Sequence, residues 1–399
     1  MSGGLAAGRL GRLHDVLAGY VERGAVPGLV ALVSRGGDTH VDAIGAVAYD
    51  APAPMRRDTI FRIASMTKPM TATAAMICVE ECLLRLDEPV DALLPELANR
   101  QVLRRIDGPL DDTVTAERAI TVRDLLTFRM GFGALLVPPD TYPIQTAVRE
   151  LSIGGDGPPT PAAGPGSDEW LRRLGSLPLM AQPGERWLYH VSGDVLGILI
   201  ARATGQAYGE FLRERVLAPL GTDDTGFCVP PEKLDRLPTS YGYDDPHTGK
   251  PQVFDEPTGQ WSTQPAMEAG AGGLVSTVDD CLAFSRMLLG KGRYDGRRIL
   301  SRPSVDLMTA DHLTAEQRED GSVILDGGGW GFGMGVRTRR DGFANPGQFG
   351  WAGGLGTTAY ADPEEDLVGI LMTQKLLGAP EAGCLFEDFW TSTYQAIDD

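Results

Sequence analysis

The segment FRIASMTKPM, residues 61–70, contains a serine and a lysine separated by two residues, Ser65-Met66-Thr67-Lys68. It opens a stretch, residues 65–86, with apolar or small side chains on nearly every side, a pattern typical of a buried helix. Residues three positions apart on a helix share a face, so Ser65 and Lys68 are predicted to be neighbours. A buried lysine has a lowered pKa and can take the proton of a serine hydroxyl. The alternative is a serine that caps the helix, followed by a lysine on the surface.

Length and charge restrict the class of protein. The chain has 399 residues, of which 42% are hydrophobic, enough for a large core in two domains or one composite domain. The formal net charge of -18 opposes binding to nucleic acid and to anionic membranes. Such a surface suits a protein that acts on small neutral or cationic molecules, or it serves solubility alone. The oligomeric state is not predicted.

Cysteine usage and hydropathy indicate the compartment. The five cysteines are an odd number without a CxxC pair, which argues against a disulfide framework and favours a reducing compartment. Residues 1–28 predict an amphipathic helix rather than a signal peptide. No segment approaches the roughly 18 apolar residues that span a membrane. We therefore expect a cytoplasmic protein, and the absence of an HExxH motif or other His/Cys cluster gives no reason to expect a metal.

The order of the predicted elements indicates an α+β fold. Two β-rich runs flank a predicted hairpin turn at Gly36-Gly37-Asp38, and further short β-rich runs lie within residues 329–374. Helical segments fill the middle of the chain, including residues 119–129, with Thr121 as the cap, and residues 193–218. This order predicts a central antiparallel sheet that is built from both termini and flanked by helices.

The same order predicts two domains with the active site at their interface. The first is a discontinuous α/β domain of residues 1–75 and 265–399, and the second is a mainly helical domain of residues 76–264. Within the second, residues 153–168 (IGGDGPPTPAAGPGSD) are rich in glycine and proline and predict a long loop. This loop either covers the pocket and sets its specificity, or is a passive insertion.

Two further segments contribute to the predicted site. In QPGERWLYHVSGD, residues 182–194, Tyr189 precedes a predicted helix and is either a second base or a core residue. His190 either lines the pocket or is structural, and Asp194 is predicted to cap the helix. In QFGWAGGLGTTAYADP, residues 348–363, the glycines allow a substrate to lie against a strand whose N–H groups could complete an oxyanion hole. A simple glycine-rich hairpin has the same pattern.

Together the three segments resemble the serine β-lactamase and penicillin-binding-protein superfamily. Within it, the chain is most similar to class C β-lactamase-like serine hydrolases, including the family VIII carboxylesterases. The three motifs of that group match Ser65-Met66-Thr67-Lys68, Tyr189-His190-Val191 and Trp351-Ala352-Gly353. The resemblance extends over most of the chain and implies the β-lactamase/transpeptidase-like fold.

This resemblance also implies a mechanism. Ser65 would attack an acyl carbonyl, and Lys68 and Tyr189 would take and return its proton. The backbone N–H groups of Ser65 and Gly354 would form the oxyanion hole, and neither a metal nor an organic cofactor is needed. The second and third motifs would contact the substrate through His190, Val191, Trp351, Ala352 and Gly353.

The chain departs from the family pattern at two of these positions. Val191 stands where the second motif has asparagine, and Trp351 stands where the third has a lysine that helps to bind the carboxylate of a penicillin. An indole cannot pair with that anion, but it can pack against an apolar acyl or alcohol group. We therefore expect a carboxylesterase acting on small neutral esters. The alternatives are β-lactam or amide hydrolysis, acyl transfer with the same residues, and a binding protein that retains the fold without turnover.

Overall fold

The computed structural model describes residues 4–154, 157–245, 247–376 and 380–399. The strands are β1 (Gly28–Arg35), β2 (Asp38–Ala48), β3 (Ala51–Pro54), β4 (Phe61–Arg62), β5 (Gln101–Leu103), β6 (Thr113–Thr115), β7 (Ser240–Asp244), β8 (Pro251–Asp255), β9 (Val275–Ser276), β10 (Arg293–Tyr294), β11 (Arg297–Arg298), β12 (Gly329–Trp330), β13 (Gly335–Val336), β14 (Phe349–Gly353), β15 (Thr357–Asp362) and β16 (Leu367–Thr373). The helices are α1 (Ala7–Glu22), α2 (Thr67–Glu80), α3 (Val122–Leu126), α4 (Pro143–Glu150), α5 (Ser167–Ser176), α6 (Val191–Thr204), α7 (Tyr208–Leu212), α8 (Ala218–Leu220), α9 (Val278–Leu289), α10 (Arg302–Met308), α11 (Ala315–Asp320), α12 (Ser322–Leu325) and α13 (Pro380–Gln395).

An eight-stranded antiparallel sheet, in the order β12-β13-β14-β15-β16-β1-β2-β3, joins the two ends of the chain. Its central contact pairs β1 with β16, so that Leu29 lies opposite Thr373. The β1–β2 hairpin turns at Gly36 and Gly37, whose φ angles of 55° and 91° favour glycine. The predicted α+β fold, with one sheet built from both termini, is confirmed.

At the centre of the sheet both faces are buried, because helices cover each of them, whereas the edge strands β2 and β3 are more exposed. Along β1, Leu29, Ala31 and Val33 point into a cluster with α1 and α13, and Val30 and Leu32 point into the main core. This alternation follows from the two-residue repeat of a strand. The main core also contains apolar residues of α2, α6 and α9, so the sheet provides a rigid support for the start of α2.

The buried helix that carries the Ser/Lys pair is shorter than the sequence predicts. Ser65 lies in a 3-10 turn, Ala64–Met66, and the α-helix itself runs over Thr67–Glu80 rather than to Leu86. The chain leaves the helix at Cys82, which adopts a left-handed conformation with φ of 59°. The prediction of burial on all sides is correct for the first three turns of this helix, which are buried throughout.

The segments predicted between the sheet strands also have counterparts in the structure. Thr121 caps α3, since its hydroxyl accepts the N–H of Asp124 and the Asp124 carboxylate accepts the N–H of Thr121. The described part of loop 153–168 contains neither helix nor strand before α5 begins at Ser167. Across the described ranges, none of the helices is sufficiently long and apolar to cross a membrane.

Candidate active site

The structure brings Ser65 and Lys68 together at the start of α2. Lys68 Nζ is 2.8 Å from Ser65 Oγ, 2.6 Å from the carbonyl oxygen of Ala271 and 3.3 Å from His190 Nδ1. The lysine is only 1% exposed. Burial lowers the pKa of Lys68 from 10.5 to about 7, although the nearby charge of Asp194 raises it. A large fraction of this amine is therefore neutral near pH 7 and able to accept a proton.

The turn that presents Ser65 is held from both sides. Ala64 has a positive φ of 43°, which is uncommon outside glycine. Thr67 Oγ1 donates to the Ala64 carbonyl at 2.7 Å and accepts the N–H of Leu274 at 3.1 Å. These bonds tie the turn to the segment that leads into β9, so the serine is positioned by a buried threonine and not by the helix alone.

Tyr189 lies beside the pair within an aromatic cluster. Its Oη accepts a hydrogen bond from Trp351 Nε1 at 2.5 Å and is also hydrogen-bonded to Ser65. The ring centroid is 4.5 Å from Lys68 Nζ. Burial raises the pKa of Tyr189 to about 12, although the hydrogen bonds to Ser65 and Trp351 lower it. The phenol therefore keeps its proton at neutral pH, which makes Lys68 the group with a free lone pair for Ser65.

The backbone at His190 forms a γ-turn that places the second motif. The residue has φ of 80° and ψ of -70°, and the N–H of Val191 bonds back to the carbonyl of Tyr189 at 3.2 Å. Such a turn costs a non-glycine residue roughly 1–3 kcal/mol. The same Tyr189 carbonyl accepts the N–H of Ala134 at 2.9 Å, which holds the turn from outside. As a result the tyrosine and histidine side chains both reach Lys68 before α6 begins.

Three side chains of the second and third motifs are not where the resemblance suggested. Trp351 is 6% exposed and packs against Trp330, with ring centroids 4.6 Å apart. Ala352 faces the opposite side of the sheet, where it lines a groove beside α13, since alternate residues of a strand face opposite ways. Val191 is buried in the main core. Within the described residues, none of the three lines the cavity at Ser65, so the structure gives no support to the expected substrate contacts of these side chains, which stay a prediction.

Gly353 and Gly354 have different functions in the third motif. A Cβ atom on Gly353 would lie 2.2 Å from the carbonyl oxygen of Ile63, so only glycine lets β14 approach the chain just before Ser65. A Cβ on Gly354 would meet nothing within 4 Å, and this residue faces the cavity. In the part of the chain that the structure describes, neither the Ser65 N–H nor the Gly354 N–H donates to a backbone carbonyl.

The cavity at Ser65 has a volume of about 410 Å³ and a largely apolar wall. Its lining includes Ser65, Tyr189, His190 and Gly354. Gly157, Pro158 and Pro159 of the long loop also line it. No lysine or arginine is found among the described lining residues, whose apolar members include Ala134, Leu135, Leu136, Val137, Pro139, Ile324 and Leu376.

Two residues that contact this network were missed or misread from the sequence. Asp194 was expected to cap α6, but its Oδ1 accepts the N–H of Ala271 at 2.9 Å, and burial raises the pKa of this carboxyl to about 6. Ala271 contributes only its backbone, so no side-chain pattern could identify it. The one available signal for Asp194 is a charged residue at the start of an otherwise apolar helix.

The chain is similar to known proteins over most of its length. Its sequence matches the Beta-lactamase family over residues 13–384. It is 39% identical over 365 residues to Protein Rv1367c of Mycobacterium tuberculosis (strain ATCC 25618 / H37Rv), covering 88% of this chain and 87% of that protein. It is 29% identical over 394 residues to Esterase EstB of Burkholderia gladioli, covering 92% of this chain and 91% of that protein. Its fold resembles that of EstCE1, a hydrolase with promiscuous acyltransferase activity, with a TM-score of 0.78, 24% identity and 98% coverage of both chains.

These similarities bear on the expectations from the sequence. The β-lactamase/transpeptidase-like fold is confirmed by the structural similarity, which extends over nearly the whole of both chains. The expectation of an enzyme, a serine hydrolase, is confirmed by the family match together with the esterase relative. The chain belongs to the Beta-lactamase family.

Proposed function

We propose that this enzyme hydrolyses small neutral carboxylic esters through an acyl-enzyme at Ser65. The observation that carries the proposal is the 2.8 Å contact between Ser65 Oγ and a buried Lys68 whose pKa is lowered to about 7. A serine hydroxyl needs a base to become a nucleophile, and a neutral lysine supplies one without histidine. The serine also opens on a cavity large enough for a small ester.

In the acylation step, Ser65 Oγ bonds to the ester carbonyl carbon while its proton passes to Lys68 Nζ. The N–H groups of Ser65 and Gly354 stabilise the negative charge that develops on the carbonyl oxygen. As the carbonyl re-forms, the bond to the alcohol oxygen breaks, and the departing alkoxide takes a proton from the Tyr189 hydroxyl. The Lys68 ammonium replaces that proton, so both groups return to neutral.

Deacylation repeats these steps with water as the nucleophile. Water loses a proton to the neutral Lys68 as it attacks the acyl carbon, and the bond to Ser65 Oγ breaks. The serine recovers its proton from the ammonium and the carboxylic acid leaves. Trp351 supports this cycle from behind, because its indole N–H occupies a lone pair of Tyr189 Oη and leaves the phenol proton free to be donated.

The preference for neutral esters rests on the cavity wall. The described lining contains no cation that could pair with the carboxylate of a β-lactam, and its apolar residues suit an uncharged acyl or alcohol group. The name of the relative Esterase EstB supports an ester as the substrate. Trp351 contributes to this preference by its lack of charge, and not by contact with the substrate.

We also propose that the site lies at the interface of the two predicted domains. Cavity residues Ala64 and Gly354 belong to the predicted α/β domain, and Leu135 and Tyr189 belong to the predicted helical domain, which supports this position.

We further propose that the protein is cytoplasmic. All five cysteines are free, which supports a reducing environment.

Time-resolved intact mass measurement with p-nitrophenyl butyrate, followed by peptide mapping, tests the proposed function. We expect a butyryl adduct on the peptide that contains Ser65, forming and clearing within the time course of turnover. The Ser65→Ala enzyme is the control and should carry no adduct. A cephalosporin should acylate more slowly, or clear more slowly, than the butyrate. Faster clearance of the cephalosporin adduct would instead identify a β-lactamase, and turnover of the butyrate without any adduct would exclude the acyl-enzyme.

Acyl transfer to an alcohol is a second candidate, favoured by a second cavity. A space of about 330 Å³, lined by Trp170, Met267 and Ala269, adjoins the first, and the two share His190 and Pro159. An acceptor alcohol bound there would lie beside the acyl-enzyme and could compete with water.

Partitioning between water and an added alcohol checks this second candidate. With vinyl butyrate and benzyl alcohol, we expect benzyl butyrate to form alongside butyric acid. Ala269→Phe fills part of the second cavity and is expected to lower the ratio of transfer to hydrolysis by about tenfold, while hydrolysis changes by less than about twofold. A ratio that is unchanged in this variant would show that the acceptor does not bind in the second cavity, and absence of benzyl butyrate with wild type would leave hydrolysis as the sole function of the site.

A further inference from the structure

A neutral Lys68 amine, the form that can act as a base, can satisfy all three of its polar partners. A neutral amine has two N–H donors and one lone pair. The Ala271 carbonyl at 2.6 Å and His190 Nδ1 at 3.3 Å are both able to accept, and together they use the two donors. In the neutral form the remaining lone pair faces the Ser65 hydroxyl at 2.8 Å, whereas in the charged form the third N–H donates to Ser65 Oγ. For Nδ1 to accept, the ring proton of His190 must be on Nε2.

Asp194 contacts both of the groups that accept from Lys68. Its Oδ1 accepts the N–H of Ala271 at 2.9 Å, which fixes the peptide whose carbonyl accepts from the lysine. Its Oδ2 lies 3.6 Å from His190 Nε2, the nitrogen that must carry the ring proton. The carboxylate is itself buried, with its side chain 7% exposed, although Asp194 and His190 both line the second cavity.

We propose that His190 and Asp194 are positioning residues that direct the lone pair of Lys68 onto Ser65. His190 supplies the second acceptor, and Asp194 holds both that histidine tautomer and the Ala271 carbonyl. This inference rests on the proposed function of Ser65 and Lys68. It gives His190 a function beyond the expected contact with substrate, and it gives Asp194 a function other than a helix cap.

The electrostatics of the group give this proposal a pH signature. Four titratable groups surround Lys68 in the described chain. Asp194 lies on α6, and His190 and Tyr189 immediately precede that helix. The fourth is the hydroxyl of Tyr208 on α7, which is hydrogen-bonded to Thr71 of α2. Burial and the lysine lower the pKa of His190 well below its ordinary value, so the ring stays neutral. Burial raises the pKa of Tyr208, so this phenol stays neutral as well. The Asp194 anion is therefore the group that favours the charged form of the lysine, and its removal should lower the pKa of Lys68.

The rate at which a fluorophosphonate labels Ser65, measured from pH 5 to 9, tests the inference. In this reaction Ser65 Oγ bonds to phosphorus, fluoride leaves, and the serine proton passes to Lys68, so the rate reports activation of the nucleophile independently of the natural ester. His190→Leu removes the acceptor and should lower the limiting rate at least about tenfold. His190→Asn returns an amide oxygen near the position of Nδ1 and should recover to within about threefold of wild type.

Asp194→Asn should change both the rate and its pH dependence. The amide N–H faces His190 and favours the opposite tautomer, so the limiting rate should fall about tenfold. Loss of the negative charge should lower the pKa of Lys68, so the rise of the labelling rate on the acid side of the pH profile (the acid limb) should move about one unit to lower pH. Asp280→Asn is the matched control, because Asp280 is another buried carboxylate in the first turn of a helix, accepts a backbone N–H at 3.0 Å, and has its pKa raised to about 6. This control should leave the pH profile unchanged.

The outcomes separate this inference from the proposed function. Failure of the wild-type enzyme to be labelled at Ser65 would overturn the proposed function, and the inference with it. Labelling of wild type combined with normal rates in His190→Leu and Asp194→Asn would overturn only the inference. A slower Asp194→Asn enzyme with lower thermal stability but an unmoved acid limb would show a purely structural residue, and would also overturn it.

Discussion

The Lys68→Met enzyme is expected to hydrolyse p-nitrophenyl butyrate with kcat/KM at least about 1,000-fold below wild type, because it lacks the base that activates Ser65. Methionine has a similar length and fills the same buried space, so the loss should come from chemistry and not from a cavity. Steady-state kinetics with peptide mapping of the acyl-enzyme measures the effect. In wild type, kcat/KM should rise with pH through the lowered lysine pKa of about 7 and then level off.

Stability provides the control for Lys68→Met. In the folded enzyme the lysine pKa lies below its value of 10.5 in an exposed chain, so the unfolded state binds the extra proton between about pH 7 and 10.5. The lysine therefore destabilises wild type most at or below pH 7, and less as pH rises through that range. The variant should be more heat-stable than wild type at pH 6, with a smaller difference at pH 9. An inactive variant that is less stable at pH 6 would indicate misfolding, and a variant with more than one-tenth of wild-type activity would exclude Lys68 as the base.

The Tyr189→Phe enzyme is expected to lose about 100-fold in kcat with ethyl butyrate but less than about tenfold with p-nitrophenyl butyrate. Burial keeps the phenol protonated, so its proposed function is to donate a proton to the leaving alkoxide. Ethoxide needs that proton, whereas p-nitrophenolate leaves without it. Comparing the two esters in the same variant therefore isolates the step in which Tyr189 acts.

Tyr360→Phe is the matched control for this comparison. Tyr360 is also a tyrosine whose pKa is raised by burial, but it lines the groove beside α13 and not the cavity at Ser65. This variant should change kcat for the two esters equally and by less than about twofold. Equal losses with both esters in Tyr189→Phe would assign the tyrosine to activation of Ser65, and unchanged turnover would remove it from the mechanism.

Much of the site could be predicted from the sequence because its central contact is local. Ser65 and Lys68 are three residues apart, so helical geometry alone makes them neighbours, although the serine lies in a 3-10 turn just before the α-helix. A sheet shared by the two ends of the chain, as in the pairing of β1 with β16, could be predicted for a different reason. The sequence has β-rich runs at both ends and helices between them, and this order implies a shared sheet.

The sequence was a weaker guide where a side chain has two possible directions. Trp351 was expected on the substrate because of its position in the third motif, but the neighbouring aromatic residues bury its ring and turn its N–H toward Tyr189. A strand pattern gives the alternation of faces, but it does not say which face a ligand will occupy. The prediction that Asp194 caps α6 was wrong for a similar reason, because its carboxylate accepts the backbone N–H of Ala271, which lies in a distant segment of the chain.

By itself, then, the sequence determined the fold class from the order of its predicted elements, and the closeness of Ser65 and Lys68 from their spacing. The family followed from the resemblance of three ordered motifs and not from any periodicity. Only the tertiary structure decided the chemical state of that pair. The Ala271 carbonyl lies 203 residues from Lys68 and His190 lies 122 residues from it, and these groups meet only when the chain folds. Burial among them lowers the lysine pKa and raises that of Tyr189, which favours Lys68 as the proposed base. Desolvation is a property of the packed interior, and no local pattern of residues specifies it.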